Sequence, residues 1–305
     1  MQRDTTNKSI SRRTFLELGS SLLLSSLMRG RFVMAKEASP RKDSRVNDHR
    51  PKTQGSIGQT FLGEQLTYTL SFLIFRNAGT YRINLRALPE KKQYLAEVRG
   101  QTQGFIGMVT WFRKDLLTCR MEEVDDGKRL RPLELKDDWV IGNRRRQTTT
   151  VFDYHHHKIV VTKERGERIR TKTISLPVGE TYYDAISGSY NFRFGVFGPI
   201  ERGREYVVKI VPEKKYKTIS IRVGSFNEEK ANRPSRSSFT DKAHFITLQV
   251  NKDLMRSKTG RIELWLSSKN VPTEGKVKDV IFFGDVVGTL TKPKLYCADW
   301  PVKGG

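Results

Sequence analysis

Asp184, Ser187, Tyr190 and Arg193 recur every third residue along one segment. On a helix that spacing keeps them on a single, slowly drifting face. An arginine fork on such a face suits a carboxylate or phosphate. One reading therefore lets this face line the mouth of a barrel, where Arg193 grips an anionic ligand. The other is structural: Asp184 caps the helix while Ser187 and Arg193 tie it to neighbouring strands. His155, His156 and His157 are metal-ligand types, but consecutive strand residues point to opposite faces, so at most two could share one. They read as the exposed tip of a hairpin between 151–154 and 158–162, without an acidic or cysteine partner at ligand spacing. Cys119 and Cys297 could pair in an oxidising compartment, or remain one buried thiol and one tail thiol.

No nucleophile motif accompanies these residues. Ile186-Ser187-Gly188-Ser189-Tyr190 lacks the first glycine of Gly-x-Ser-x-Gly. Neither a phosphate loop nor a dinucleotide fingerprint occurs, so no catalytic residue, metal or cofactor is assigned.

The elements that must position these residues are strands. Leu66, Tyr68, Leu70, Phe72 and Ile74 alternate with polar residues; after an expected turn at Asn77-Ala78-Gly79, Tyr81, Ile83 and Leu85 do the same. Such alternation builds a sheet with one buried face. Further strands are expected at 93–103, 116–124, 129–135, 145–153, 158–164, 168–175, 204–211, 216–224, 243–250, 260–267 and 277–291. Local turns at roughly ten-residue spacing make this a mostly all-β chain, an antiparallel meander forming a barrel-like or strongly curved sheet. Glu180–Phe194 reads as one short helix, 104–114 as a short helix or bulged strand, and 225–242 as a long polar loop.

The N-terminus carries an address. Arg12 and Arg13, followed by Phe15 and Leu16, resemble a twin-arginine export motif. A short apolar stretch, Leu18–Met28, and a Val33-Met34-Ala35 cleavage site follow in order. The expected organisation is a signal peptide at 1–35, a flexible linker at 36–60, a β-barrel-like domain at 61–292 and a tail at 293–305. Twin-arginine cargo folds before export, so any Cys119–Cys297 bridge would form only afterwards, in the periplasm. The chain carries 56 Lys+Arg against 33 Asp+Glu, a net charge of +23. The first 35 residues hold six basic and two acidic residues, which leaves +19 on the exported part. No apolar run approaches the ~20 residues of a membrane-spanning helix.

Several segments together resemble a bacterial family of exported proteins, domain of unknown function 3108. They are Gly63-Glu64-Gln65-Leu66-Thr67-Tyr68, Ala78-Gly79, Phe152-Asp153, the Asp184/Ser187/Tyr190/Arg193 helix, Trp265-Leu266-Ser267, Pro272 and Gly288. The likeness spans about 60–292. It implies a single β-rich exported domain and carries no activity with it. The basicity, the twin-arginine motif and the insertion-like 225–242 depart from the family pattern.

Charge and address together set the expected partners. Nucleic acid, the first partner for a basic cytosolic chain, does not fit an exported one. Anionic lipid, lipopolysaccharide or acidic glycan suits the periplasm better. The leading expectation is a non-enzymatic envelope protein that binds or carries such a molecule. The alternatives are an assembly factor for another envelope protein, and thirdly a hydrolase; the translocase is a partner during export.

Overall fold

The computed structural model describes residues 55–294 apart from 214–215, 234–240, 251, 253–256 and 281–283. Among these, β1 (Gln65–Phe72), β2 (Phe75–Ala87), β3 (Gln93–Thr102), β4 (Lys114–Val124), β5 (Arg129–Ile141), β6 (Arg144–Asp153), β7 (Lys158–Arg165) and β8 (Arg168–Ser175) run as a meander. A helix follows, and then β9 (Glu205–Glu213), β10 (Tyr216–Val223), β11 (His244–Gln249), β12 (Arg261–Leu266), β13 (Pro272–Val280) and β14 (Gly284–Lys294). All fourteen belong to one antiparallel sheet, in which β14 returns to pair with β1. Every sequential neighbour is hydrogen-bonded except β8 and β9, so the sheet is a nearly closed barrel with a single seam.

The expected alternation sets the inside. Leu66, Tyr68 and Leu70 of β1 face Ile83, Tyr81 and Gly79 of β2, and Val98 and Gly100 continue the row on β3. Intervening positions such as Arg82, Arg86 and Arg99 are exposed. Apolar-in and polar-out is the reverse of a transmembrane barrel, whose apolar band faces lipid. No helix among the described residues is long and apolar enough to cross a membrane.

Four short helices accompany the strands among the described residues: α1 (Ile57–Phe61), α2 (Gly104–Val109), α3 (Ala185–Phe194) and α4 (Phe226–Asn232). Of these, α3 enters the barrel. Its Ile186 and Tyr190 pack with Leu85, Met121 and Leu130 from β2, β4 and β5, while Phe192 joins the core of β9–β14. The segment leading into α3 staples the seam. The Leu176 amide donates to His157 O at 2.8 Å and the Tyr183 amide to Lys209 O at 2.9 Å. Glu180 pairs with Lys209, and Leu176 and Tyr182 pack with Phe152, Ile159 and Val211.

Several expectations differ from the structure. The first hairpin turns at Leu73-Ile74, and Asn77-Ala78-Gly79 lies inside β2, where Gly79 opposes Leu70. A Cβ at Gly79 would sit 2.7 Å from Gln101 O, so close strand approach explains this glycine. The expected strand 277–291 is divided between two strands, β13 and β14, which pair with each other, and residues 281–283 lie outside the described residues. The loop expected at 225–242 contains α4, begun by a capping box in which Ser225 and Glu228 satisfy each other's amides. Residues 57–61, at the end of the expected linker, form α1, which buries Ile57 and Phe61 and whose Gly58 amide donates to Glu123 Oε1 at 2.9 Å. Regular helix in 180–194 begins only at Ala185, and the 104–114 segment supplies α2 and the start of β4.

Candidate functional site

The barrel contains a partly open cavity of about 470 Å³, within the range of about 300–1,000 Å³ usual for small-ligand sites. The inner face leaves this space partly because Gly275 and Gly288, paired across β13 and β14, contribute no side chains to it. The walls differ. Ile219, Ile221, Ile246, Leu248 and Ile262 make an apolar wall on β10–β12. On the other flank of the seam, Lys163 on β7 and Arg170 and Lys172 on β8 contribute cationic side chains, next to Thr148 and Thr150 of β6 and with Asp137 of β5 also in the lining. Strand parity explains the basic wall: Arg170 and Lys172 share a face with Ile174, and Arg170 is the register partner of Lys163.

Helix α3 forms part of the lining, and its polar residues are engaged with the fold. Asp184 is the N-cap: its Oδ1 accepts from the Ile186 and Ser187 amides at 2.8 and 3.1 Å. Ser187 Oγ donates to Asp184 Oδ2 at 2.7 Å and accepts from the Asp184 amide, which closes a capping box. Arg193 is buried and forms a bidentate pair with Glu64, at 2.9 and 2.5 Å, while its Nε donates to Asn270 O at 2.8 Å. Its guanidinium also lies 4.6 Å from the Phe61 ring centre. Burial by itself would lower the Arg193 pKa, but the Glu64 carboxylate overrides it and holds the group above the usual arginine value.

Of the four expected residues, Asp184, Tyr190 and Arg193 reach the cavity lining, whereas Ser187 is wholly buried against the cap. The local contacts are those of the structural reading. The Tyr190 hydroxyl is buried beside the Glu64 carboxylate. Burial, followed by the nearby Glu64 charge, raises its pKa far above the ordinary tyrosine value and keeps it a proton donor.

Two anchors were not singled out from the sequence. Asn191 accepts from the Leu130 amide at 3.0 Å and donates to Leu130 O at 2.8 Å, which docks α3 on β5. Glu64, noted only as part of the Gly-Glu-x-Leu-x-Tyr segment, is the buried counterion of Arg193. An acid placed just before a strand was the one available signal for it.

Cys119 is a free, fully buried thiol whose Sγ lies 3.1 Å from Asp184 Oδ2; its expected partner Cys297 lies outside the described residues. Burial, and then the Asp184 carboxylate, raises the thiol pKa well above normal, so this sulfur is not an activated nucleophile. The histidines occupy the β6–β7 hairpin tip, as expected, with His156 Nδ1 2.7 Å from Asp153 Oδ2. No group of three or more metal-ligand side chains converges among the described residues. The export residues Arg12, Arg13, Phe15 and Leu16 also lie outside the described residues.

A family model described as a protein of unknown function, DUF3108, matches residues 67–291. No curated protein matches the chain. Among solved structures, a beta-barrel-like protein of domain of unknown function DUF1849 from Brucella abortus aligns with TM-score 0.44 and 12% identity, over 77% of this chain and 98% of that one. A DUF1089 family protein from Pseudomonas aeruginosa aligns with TM-score 0.29 and 8% identity, over 66% of this chain and 91% of that one.

Proposed function

The chain belongs to the DUF3108 family of proteins of unknown function, and we propose that it serves as an exported, non-enzymatic carrier of an anionic amphiphile. One observation carries this reading: the barrel cavity is lined both by an apolar surface on β10–β12 and by the exposed cationic side chains Lys163, Arg170 and Lys172. A hydrocarbon tail lies against Ile219, Ile221 and Ile246, where burial contributes about 0.8 kcal/mol per methylene. The acidic head meets the three cations on β7 and β8. Arg193, already neutralised by Glu64, holds α3 in place and leaves the head to β7 and β8.

The fluorescent fatty acid cis-parinaric acid tests this directly. The protein should bind the acid about 10–100-fold more tightly than its methyl ester, the discrimination expected of a charge-assisted hydrogen bond of about 1.5–3 kcal/mol. Equal affinities would remove the cationic wall from the proposal, and no binding of either would overturn the carrier reading in favour of an assembly role.

The compartment is part of the same proposal. The Arg12-Arg13 motif, apolar stretch and cleavage site support twin-arginine export to the periplasm, where anionic lipids are abundant partners. Arg12→Lys/Arg13→Lys should leave the uncleaved precursor in the cytoplasm by cell fractionation; normal export of that variant would refute the route.

A further inference from the structure

Large apolar side chains stand exposed at the barrel end where β1 finishes. On the β1–β2 turn Leu73 is 69% and Ile74 86% exposed; on α2 Phe105 is 62% and Met108 66%; before β4 Trp111 is 61% and Phe112 57%. These come from two separate connections held as one surface. The Phe105 ring stacks on Phe75, next to the first turn, with ring centres 5.7 Å apart. The Gly142 amide of the β5–β6 turn donates to Trp111 O at 3.4 Å, which brings a third connection alongside.

The exposure is built in. Ile106, between Phe105 and Met108, turns into the core, so α2 is oriented rather than loose. Leu73, Trp111 and Phe112 have φ of 49°, 54° and 47°, a backbone region that bulky residues rarely adopt. Packing alone would favour a glycine or asparagine at such positions.

The charges around the patch point to one occupant. Segments 73–77, 103–114 and 141–147 contain no acidic residue, while Arg76, Lys114 and Arg144 stand exposed on them. The acids bordering it, Asp115 and Asp285, are paired with Arg113 and Lys278. Trp, Phe, Ile and Leu at the tip with lysine and arginine beside them is the pattern of a surface that enters the headgroup region of an anionic bilayer. We propose that this end of the barrel is a membrane-docking surface: Ile74, Phe105, Met108, Trp111 and Phe112 insert at the acyl boundary, and Arg76, Lys114 and Arg144 hold anionic lipid heads. The proposal is independent of what the cavity carries.

Co-sedimentation of the exported form with vesicles tests it. The protein should pellet with vesicles of equal parts phosphatidylglycerol and phosphatidylcholine, and much less with pure phosphatidylcholine. Raising salt from about 0.1 M to about 1 M should weaken binding, because the Debye length falls from about 10 to about 3 Å. Ile74→Ser/Phe105→Ser/Trp111→Ser should retain the wild-type melting curve and lose at least about tenfold in vesicle affinity. Arg76→Gln/Lys114→Gln/Arg144→Gln provides an independent variant, expected to lose the preference for phosphatidylglycerol. Failure of the wild type to pellet with either vesicle would overturn the proposal, as would unchanged binding by both variants. A wild-type dimer that the serine variant converts to monomer, without vesicle binding, would assign the patch to a second copy of the chain instead.

Discussion

Arg193→Ala is expected to lower the unfolding free energy by about 3–5 kcal/mol, the usual cost of leaving one member of a buried ion pair uncompensated. Glu64 is 3% exposed and Arg193 6%, so water cannot solvate the abandoned carboxylate. The same change removes the hydrogen bond to Asn270 O and the contact with the Phe61 ring, which together fix the end of α3. For a domain of this size that loss corresponds to a melting-point drop of about 6–20 °C. Glu64→Leu/Arg193→Met should recover most of it, because an apolar pair of similar volume needs no desolvated charge. Urea denaturation of the two single variants and the double variant supplies the comparison. A loss below about 1 kcal/mol for Arg193→Ala would show that the pair is not a structural lock. Affinity for cis-parinaric acid, measured well below the transition, should change by no more than about threefold, under one kcal/mol. A stable Arg193→Ala protein that had lost the acid would return the anion site to α3.

The second large effect is expected at the cationic wall. Lys163→Glu/Arg170→Glu/Lys172→Glu should weaken cis-parinaric acid binding by about 100-fold or more, because attraction of the head is replaced by repulsion within a partly apolar enclosure. The fold should tolerate the change, since all three positions are exposed and β8 is solvent-accessible along most of its length. Circular dichroism melting serves as the control, and affinity for the methyl ester should remain. If acid and ester weaken equally, the variant has damaged the cavity as a whole. If neither weakens, the head lies elsewhere.

Particular residues show what the sequence could reveal. Tyr81, Ile83 and Leu85 alternate cleanly with Arg82 and Asn84 because one face of β2 meets the core and the other meets water. That period made the one-sided sheet legible. The turn at Leu73-Ile74 was not, since turn recognition relies on polar residues and glycine. Ser225-x-x-Glu228 was a legible helix start within a segment whose overall polarity suggested a loop. At the site, the Asp184 cap is a local interaction and could be anticipated. The Glu64–Arg193 pair joins residues 129 apart, and no local pattern announces such a partner. The cavity is less legible still. It depends on side chains that Gly275 and Gly288 lack and on which strands face one another across the interior.

Pairing of the first strand with the last governs how the protein can be made. The Thr291 hydroxyl donates to Thr67 O across 224 residues of chain. A growing chain that emerges from the ribosome therefore holds β1 with one bare edge until β14 has been synthesised. Contacts of such separation form late, because loop closure must come first. A product truncated anywhere before β14 keeps that edge open to other chains. Completion of the barrel thus reports that synthesis has passed β14.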